Sequence, residues 1–327
     1  MDHGPDAIKL PKLMLAADLP RVMQCIAQID PAARGRLLIN AEELEFAEPL
    51  PLCLLAAQLT NLHRVGGTAA IERLRKPVAE RLERMNVLRD WISTRPASRS
   101  REHNFSSLQV SCATCIDDGN EIANTLAERI AAFAPAEYCQ QNDRMTRDGI
   151  VVPLAYMLAE LVENSLTHAR GKGFGHAEAW IASQYYSTGD LIRLAIVDNG
   201  CGFLKSLHAH SSVQPKIHMA AIRAAFLPGV SCNRNVGIVR DSLNAGLGLT
   251  VSRDIAIRSG GAVWAGSGDT WIAHPGREDD TAKRISSWQG SMLNFEIHRA
   301  GLFSFNFREL FARYGHPGKA PSLSFTD

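Results

Sequence analysis

The stretch "LAELVENSLTHARGKG", Leu158 to Gly173, closes a long apolar helical pattern, "VVPLAYMLAELVENSLTHAR". Inside it two glutamates, Glu160 and Glu163, stand beside an amide, Asn164. Residues four apart on a helix lie nearly above one another, offset by about 40° and about 6 Å. Glu160 and Asn164 therefore share one stripe, while Leu158, Leu161, Ser165 and Leu166 spread over the packing side. Such a helix must face a core along one side and hold polar groups along another. An amide oxygen is a hard ligand for Mg²⁺, and a carboxylate can accept a proton. Taken alone the pair is a weak signal, and two structural polar residues show the same spacing.

Two later segments narrow the choice. In "IVDNGCGF", Ile196 to Phe203, an apolar strand ends in Asp198, and Gly200 and Gly202 follow at alternating positions. Glycine lets backbone approach a flat ligand without side-chain interference. A carboxylate at the strand end can accept a hydrogen bond from an exocyclic amine such as adenine's. A strand that ends in an Asx turn has the same composition. In "NAGLGLTVSRD", Gly246 and Gly248 stand immediately before a helix, whose free N–H groups and dipole suit a phosphate. The chain contains neither a P-loop nor a complete GxGxxG.

In this order the segments resemble the GHKL ATPases, the superfamily of gyrase, heat-shock chaperones, histidine kinases and MutL. "ELVENSLTHA" resembles the N box, "DNGCGF" the G1 box, and "GLGLTVSRDIAIRSGG" the G2 box with its helix; "WQGSMLNFEI" resembles the closing strand. The resemblance covers about residues 105 to 300. It implies an α+β fold, a Bergerat-type ATP-binding sandwich, with ATP and Mg²⁺ as cofactors. It further implies Glu160 as general base, Asn164 as the Mg²⁺ ligand and Asp198 as the adenine-reading carboxylate. Gly200, Gly202 and Phe203 would shape the nucleotide pocket. Asn244, Gly246, Leu247, Gly248 and Leu249 would form the phosphate side. The irregular stretch from Leu204 to Asn244 would be the ATP lid. In the family's histidine autokinases the position of Glu160 is usually asparagine, and a separate helix carries an acceptor histidine followed by proline. Here it is glutamate, and His63, His103 and His168 lie in no such context. The resemblance thus points to ATP hydrolysis or to serine/threonine phosphoryl transfer. A nucleotide sensor without turnover and a DNA-linked ATPase akin to MutL stay open as alternatives.

Upstream, alternating patterns predict a strand at Leu37–Ile39, an apolar helix "LPLCLLAAQLTNLHRVGG", a strand "TAAIERL" and an amphipathic helix "KPVAERLERMNVLRDWI". This order is loosely similar to the STAS domain of anti-sigma-factor antagonists. It departs where a phosphorylatable serine would stand, at Glu48, Pro49 and Leu50, so the resemblance implies a docking or regulatory module. "STRPASRSRE", Ser93 to Glu102, reads as a linker. The expected organisation is a STAS-like unit over residues 1–100, the ATPase-like unit over 101–310 and a tail over 311–327.

A net charge of +1 supplies no global field toward nucleic acid or membrane, so a regulatory protein partner is expected and nucleic acid is not. Homodimerisation is left open. The apolar run "LPLCLLAAQL" is about half of the ~20 residues a span needs, and "MDHGPDAIK" lacks the pattern of a secretion signal. Seven scattered cysteines fit free thiols and a cytoplasmic location. Cys112 and Cys115 form a CxxC read within a strand, which sends them to opposite faces. Cys201 is expected in the nucleotide pocket, and Trp264, Trp271 and Trp288 in the core or at an edge.

Overall fold

In the computed structural model, strands Ala179–Tyr186 and Leu191–Asp198 each carry apolar residues at odd and even positions alike. A strand points successive side chains to opposite faces, so both faces of their sheet must be covered. The structure describes residues 7–85, 91–92, 110–134, 145–170, 173–231, 247–304 and 306–314.

The first unit begins with the short strands β1 (Ile8–Lys9) and β2 (Leu13–Met14), then helix α1 (Leu19–Ile26). Strands β3 (Arg36–Asn40) and β4 (Phe46–Ala47), helix α2 (Pro49–Arg64), strand β5 (Thr68–Glu72) and helix α3 (Lys76–Arg84) follow. β1, β3 and β5 make a parallel three-stranded sheet in which α2 is the crossover between β3 and β5.

The second unit opens with β6 (Ser111–Ala113), α4 (Ile116–Ala131) and α5 (Met145–Arg170). β7 (Ala179–Tyr186) and β8 (Leu191–Asp198) come next, then α6 (Gly202–Ser206), α7 (His218–Ala225) and α8 (Gly248–Arg258). β9 (Ala262–Ala273), β10 (Thr281–His298), α9 (Arg299–Phe303) and α10 (Phe307–Arg313) complete it. The five strands are antiparallel in the order β6-β7-β8-β10-β9.

Ile181, Ile192, Leu194, Ile196, Leu293 and Phe295 point to the layer formed by α4, α5 and α8. The alternate residues, Trp180, Ala182, Ala195, Val197 and Met292, share a second cluster with α1 and α2. This explains α2: Leu52, Cys53, Leu54 and Leu55 are all buried, because the helix lies between its own sheet and the five-stranded one. A helix apolar on every side is one covered on every side. A buried ion pair joins the layers. Glu48, at the start of α2, accepts the Ala16 N–H at 2.9 Å and pairs with Arg193 of β8, which also reaches Glu296 at 2.8 Å. Burial, more than any partner, pushes the Glu48 carboxyl upward.

Among the described residues, Gly149–Thr167 is the one helical segment long and apolar enough to cross a membrane. Its Leu154, Leu158, Leu161 and Val162 are buried in the core with Leu126 and Ile130 of α4.

Several expectations are corrected. Cys115 is not in a strand: it is the N-cap of α4 and exchanges capping bonds with Asp118, while Cys112 lies in β6. The stretch after Leu204 is not an irregular cover as far as Ser231, since α7 buries Ala221, Ile222, Ala224 and Ala225 in the core. Residues 232–244 of the expected lid, and the Ser93–Glu102 linker, lie outside the described residues. β9 and β10 run further than their apolar ends suggest, as a polar ribbon with register shifts around Trp288. Trp271 and Trp288 are buried against the first unit. The last helix runs on to Arg313, into the stretch expected as a tail, and Tyr314 donates to Asp254 at 2.7 Å.

Candidate functional site

A cleft of about 1030 Å³, its open mouth included, lies between α5, the end of β8 and the start of α8. Each wall follows from a local rule.

From α5 come Glu160, Glu163 and Asn164, all half-buried and all lining the cleft, with Ser165 and Thr167 beside them. The helix buries its leucines against the sheet, and this turns the acid and amide stripe toward α8. A methyl built on Gly248, the first residue of α8, would stand 3.4 Å from Glu160 Cβ and 3.5 Å from the Asn164 amide nitrogen. The N-cap residue of α8, Leu247, supplies no side-chain cap, and the helix turns its positive dipole end toward Glu160 and Asn164.

Asp198 ends β8 and is 4% exposed. Its Oδ1 accepts the Gly200 N–H at 2.9 Å and the Ser291 N–H at 3.2 Å, and the Ser291 hydroxyl donates to Oδ2. The Asx turn that the composition allows is therefore present together with the cleft. Burial raises the Asp198 carboxyl to about 6, against the pull of the donors from Ser291, Gly200 and Ser165. Behind it, Trp288 Nε1 donates to the Asp198 carbonyl at 2.8 Å.

Glu160 is raised to about 7, first by burial and then by the neighbouring charge of Glu163, with a Tyr156 hydrogen bond opposing the rise. A carboxyl balanced near neutrality can both hold and release a proton at ordinary pH, which is what general acid–base work requires. Asn164, Glu160 and Glu163 offer oxygen donors of the hard type that Mg²⁺ takes, and Mg²⁺ usually completes its shell with water and phosphate oxygens. Among the described residues no group of three or more His, Cys, Asp or Glu forms a self-sufficient metal cage. The donor set fits a cation shared with a phosphate-bearing ligand.

The structure brings together seven of the expected residues on the cleft wall: Glu160, Asn164, Asp198, Gly202, Phe203, Gly248 and Leu249. Leu247 instead packs against the core and accepts the Val251 N–H at 2.8 Å with its carbonyl. Gly200 is buried behind Asp198, outside the lining. Asn244 and Gly246 lie outside the described residues. The need for glycine at 202 also differs from the expected one. Its φ is +69°, and a Cβ there would meet Ser267 Oγ at 2.3 Å and the Gln289 carbonyl at 2.9 Å. The close approach is to the β9–β10 ribbon, not to a ligand. Cys201 lines the cleft, as expected.

Sequence reasoning missed Ser291, and treated Glu163 only as a neighbour. Glu163 was recoverable, since three-residue spacing places it beside Glu160 on a helix. Ser291 sits across a strand pairing, Met292 opposite Val197, and no local pattern announces that.

Residues 149–282 match the family model described as histidine kinase-, DNA gyrase B-, and HSP90-like ATPase. The matched segment contains α5, Asp198 and the start of α8, so the GHKL resemblance drawn from three motifs holds for this part of the chain and supports ATP binding there. The match does not extend to the first unit. No curated protein and no solved structure matches the chain.

Proposed function

We propose that the chain is a Mg²⁺-ATP-binding regulatory protein that hydrolyses ATP, or transfers its terminal phosphoryl group to a serine or threonine of a protein partner. The observation that carries this reading is the meeting of Glu160 and Asn164 with the uncapped N-terminus of α8, in a cleft whose far wall is the buried Asp198.

Asp198 reads the base. Its carboxylate is already approached by Gly200, Ser291 and Ser165. An exocyclic amine takes its place when a serine hydroxyl turns away. Ser165 has a second acceptor for that purpose, the Leu161 carbonyl at 3.1 Å. Adenine presents a donor where Asp198 presents an acceptor, whereas a base with a carbonyl there would face the carboxylate oxygen to oxygen. The α8 N–H groups hold the phosphate chain. Asn164, with water, would hold Mg²⁺, which when bound neutralises charge on the phosphate oxygens. Glu160 takes the proton from the attacking hydroxyl, either water's or a partner side chain's. Its carboxyl, balanced near neutrality, is ionised in a useful fraction at pH 7 and above; the attacking oxygen bonds to the terminal phosphorus as its proton passes to Glu160, the bridging P–O bond breaks, and ADP leaves with that oxygen.

The first unit is the regulatory or docking module in this reading. Its parallel sheet and crossover helix agree with the loosely STAS-like order. Glu48, which stands where that family's phosphorylatable serine would be, is committed to Arg193 and Ala16. The first unit therefore carries no phosphoserine switch at this place.

Calorimetry with Mg²⁺ and ATP, followed by assays of phosphate release and of labelled transfer to candidate partner proteins, tests the proposal. Wild type and Glu160→Ala should both bind ATP, with turnover lower in the variant by about 10²–10⁴-fold. Full turnover in Glu160→Ala, or label retained on a histidine of this chain, would refute it.

A further inference from the structure

The turn that carries Asp198 is gripped from the side opposite the cleft. Asn199, 8% exposed, has each of its polar groups engaged. Its N–H meets the Glu178 carbonyl at 3.4 Å, its carbonyl accepts Gln289 Nε2 at 3.1 Å, and its Oδ1 accepts the Glu178 N–H at 2.9 Å. Those three bonds stay within the second unit. The fourth does not: Asn199 Nδ2 donates at 2.8 Å to Oδ1 of Asn61, in the last turn of α2. Arg64, three residues on, donates to the same Asn61 oxygen at 3.4 Å and forms an ion pair with Glu178. Asn61, Asn199, Glu178 and Arg64 thus close a ring across the junction between the units, and the residue next to Asn199 in the chain is Asp198.

We infer that Asn61 is a positioning residue for base recognition: through Asn199 it sets where the Asp198 carboxylate stands, so that the first unit completes the adenine end of the cleft. The inference rests on the nucleotide reading proposed above. Its physical content is simple. Asn199 is nearly buried, and removing Asn61 takes away the acceptor of its amide N–H. The side chain must then rotate to another acceptor, which releases its bond to the Glu178 N–H as well, and the turn shifts at its Asp198 end. An acid that reads one exocyclic amine loses its selectivity after a small displacement, because the hydrogen bond weakens steeply with distance and angle. Contacts to phosphate and ribose, made on other elements, are spared.

The test measures binding of Mg·ATP and Mg·ITP by calorimetry on the full chain, since inosine carries a carbonyl where adenine carries the amine. Wild type should prefer ATP. Asn61→Leu should weaken ATP binding about tenfold while leaving ITP binding within about twofold, so that the preference collapses; a tenfold change is about 1.4 kcal/mol. Asn61→Asp retains an acceptor for both Asn199 and Arg64 and should keep the wild-type preference. Should Asn61→Leu fail to fold, Asn61→Ser, too short to reach Asn199, carries the same expectation. The inference is overturned if the leucine or serine variant keeps the wild-type ATP-to-ITP ratio, if both nucleotides weaken in equal proportion, or if Asn61→Asp falls as far as Asn61→Leu. A wild-type chain that binds neither nucleotide overturns the nucleotide reading itself, a result distinct from any of these.

Discussion

Replacing Glu160 by glutamine should make the ligand-free protein more stable above neutral pH and no more stable in acid. In the folded chain the carboxyl stands at about 7, raised from an ordinary value of 4.5 by burial and by the charge of Glu163. A group whose folded value is raised binds its proton more tightly in the folded state than in the unfolded one. For an acid this means that folding loses stability as pH climbs from about 4.5 to 7, with the loss complete above about pH 8. Each tenfold difference in proton affinity is worth about 1.36 kcal/mol, so the ionised acid costs the fold about 3 kcal/mol at pH 8. Solvent reaching the half-buried side chain and added salt bring this to about 2–3 kcal/mol. Glutamine has nearly the same shape and no charge to bury, and so escapes the whole cost. Asp198 is likewise raised, to about 6, but it titrates in both proteins and cancels from the comparison. The assay is thermal or urea unfolding of wild type and Glu160→Gln at half-unit steps from pH 4 to 9. At pH 8 the variant should melt roughly 5 °C higher, from about 2–4 °C per kcal/mol for a chain of this size class. At pH 4 the curves should coincide. A variant less stable than wild type at pH 8, or a gap that does not change with pH, would refute the reasoning. Either result would mean that Glu160 is not an uncompensated acid in the free cleft.

Other perturbations probe the walls around it. Gly290→Ala places a Cβ 1.9 Å from the Asp198 carbonyl oxygen, backbone against backbone, and should cost about 3 kcal/mol or more, visible as a large drop in melting temperature. Gly248→Ala meets Glu160 and Asn164 only at 3.4–3.5 Å, so its melting temperature should stay within a degree or two of wild type. Nucleotide affinity, read by calorimetry, should nevertheless fall about tenfold, the effect of a methyl where phosphate approaches the helix N-terminus. Glu48→Ala leaves Arg193 and the Ala16 N–H short of a partner and should cost about 2–4 kcal/mol. Pairing it with Arg193→Met should recover part of that loss, and a double-mutant cycle with coupling under about 0.5 kcal/mol would show that the ion pair does not tie the layers.

How far these features could be read in advance depended on whether their cause was local. The long helices and most strands were legible, because α5 is a largely apolar run too long for a strand and β7 and β8 are dense in β-branched and aromatic residues bounded by turn residues. Seven cleft residues were legible because they sit on those elements at short-range motif positions. The polar ribbon around Gly268 to Trp288 was not, since its strands are held by pairing with each other and by two tryptophans docked on a distant unit. Cys115 was misplaced because a capping role depends on Asp118 folding back, a contact that composition does not specify. Ser291 was invisible for a topological reason: β10 reaches Asp198 only after inserting between β8 and β9.

The same non-local packing accounts for the chemistry of the cleft. Asp198 is buried because β8 and β10 are covered on both sides, by α5 on one and by α2 on the other. Were α2 absent, Val197, Trp180 and Met292 would lie against water, and the strand ends beneath Asp198 would gain solvent with them. Desolvation is the largest cause raising the Asp198 carboxyl, so a wetter strand end would return it toward the ordinary range and weaken the premium on a single donor from the base. In the proposed nucleotide reading the first unit acts on the site by two routes that need no movement, exclusion of water through α2 and the Asn61 ring at its tip. Any partner that strains α2 changes both together. Because coupling between binding sites is reciprocal, a ligand drawn in by Asp198 must stabilise the seating of α2 by as much as α2 strengthens the ligand.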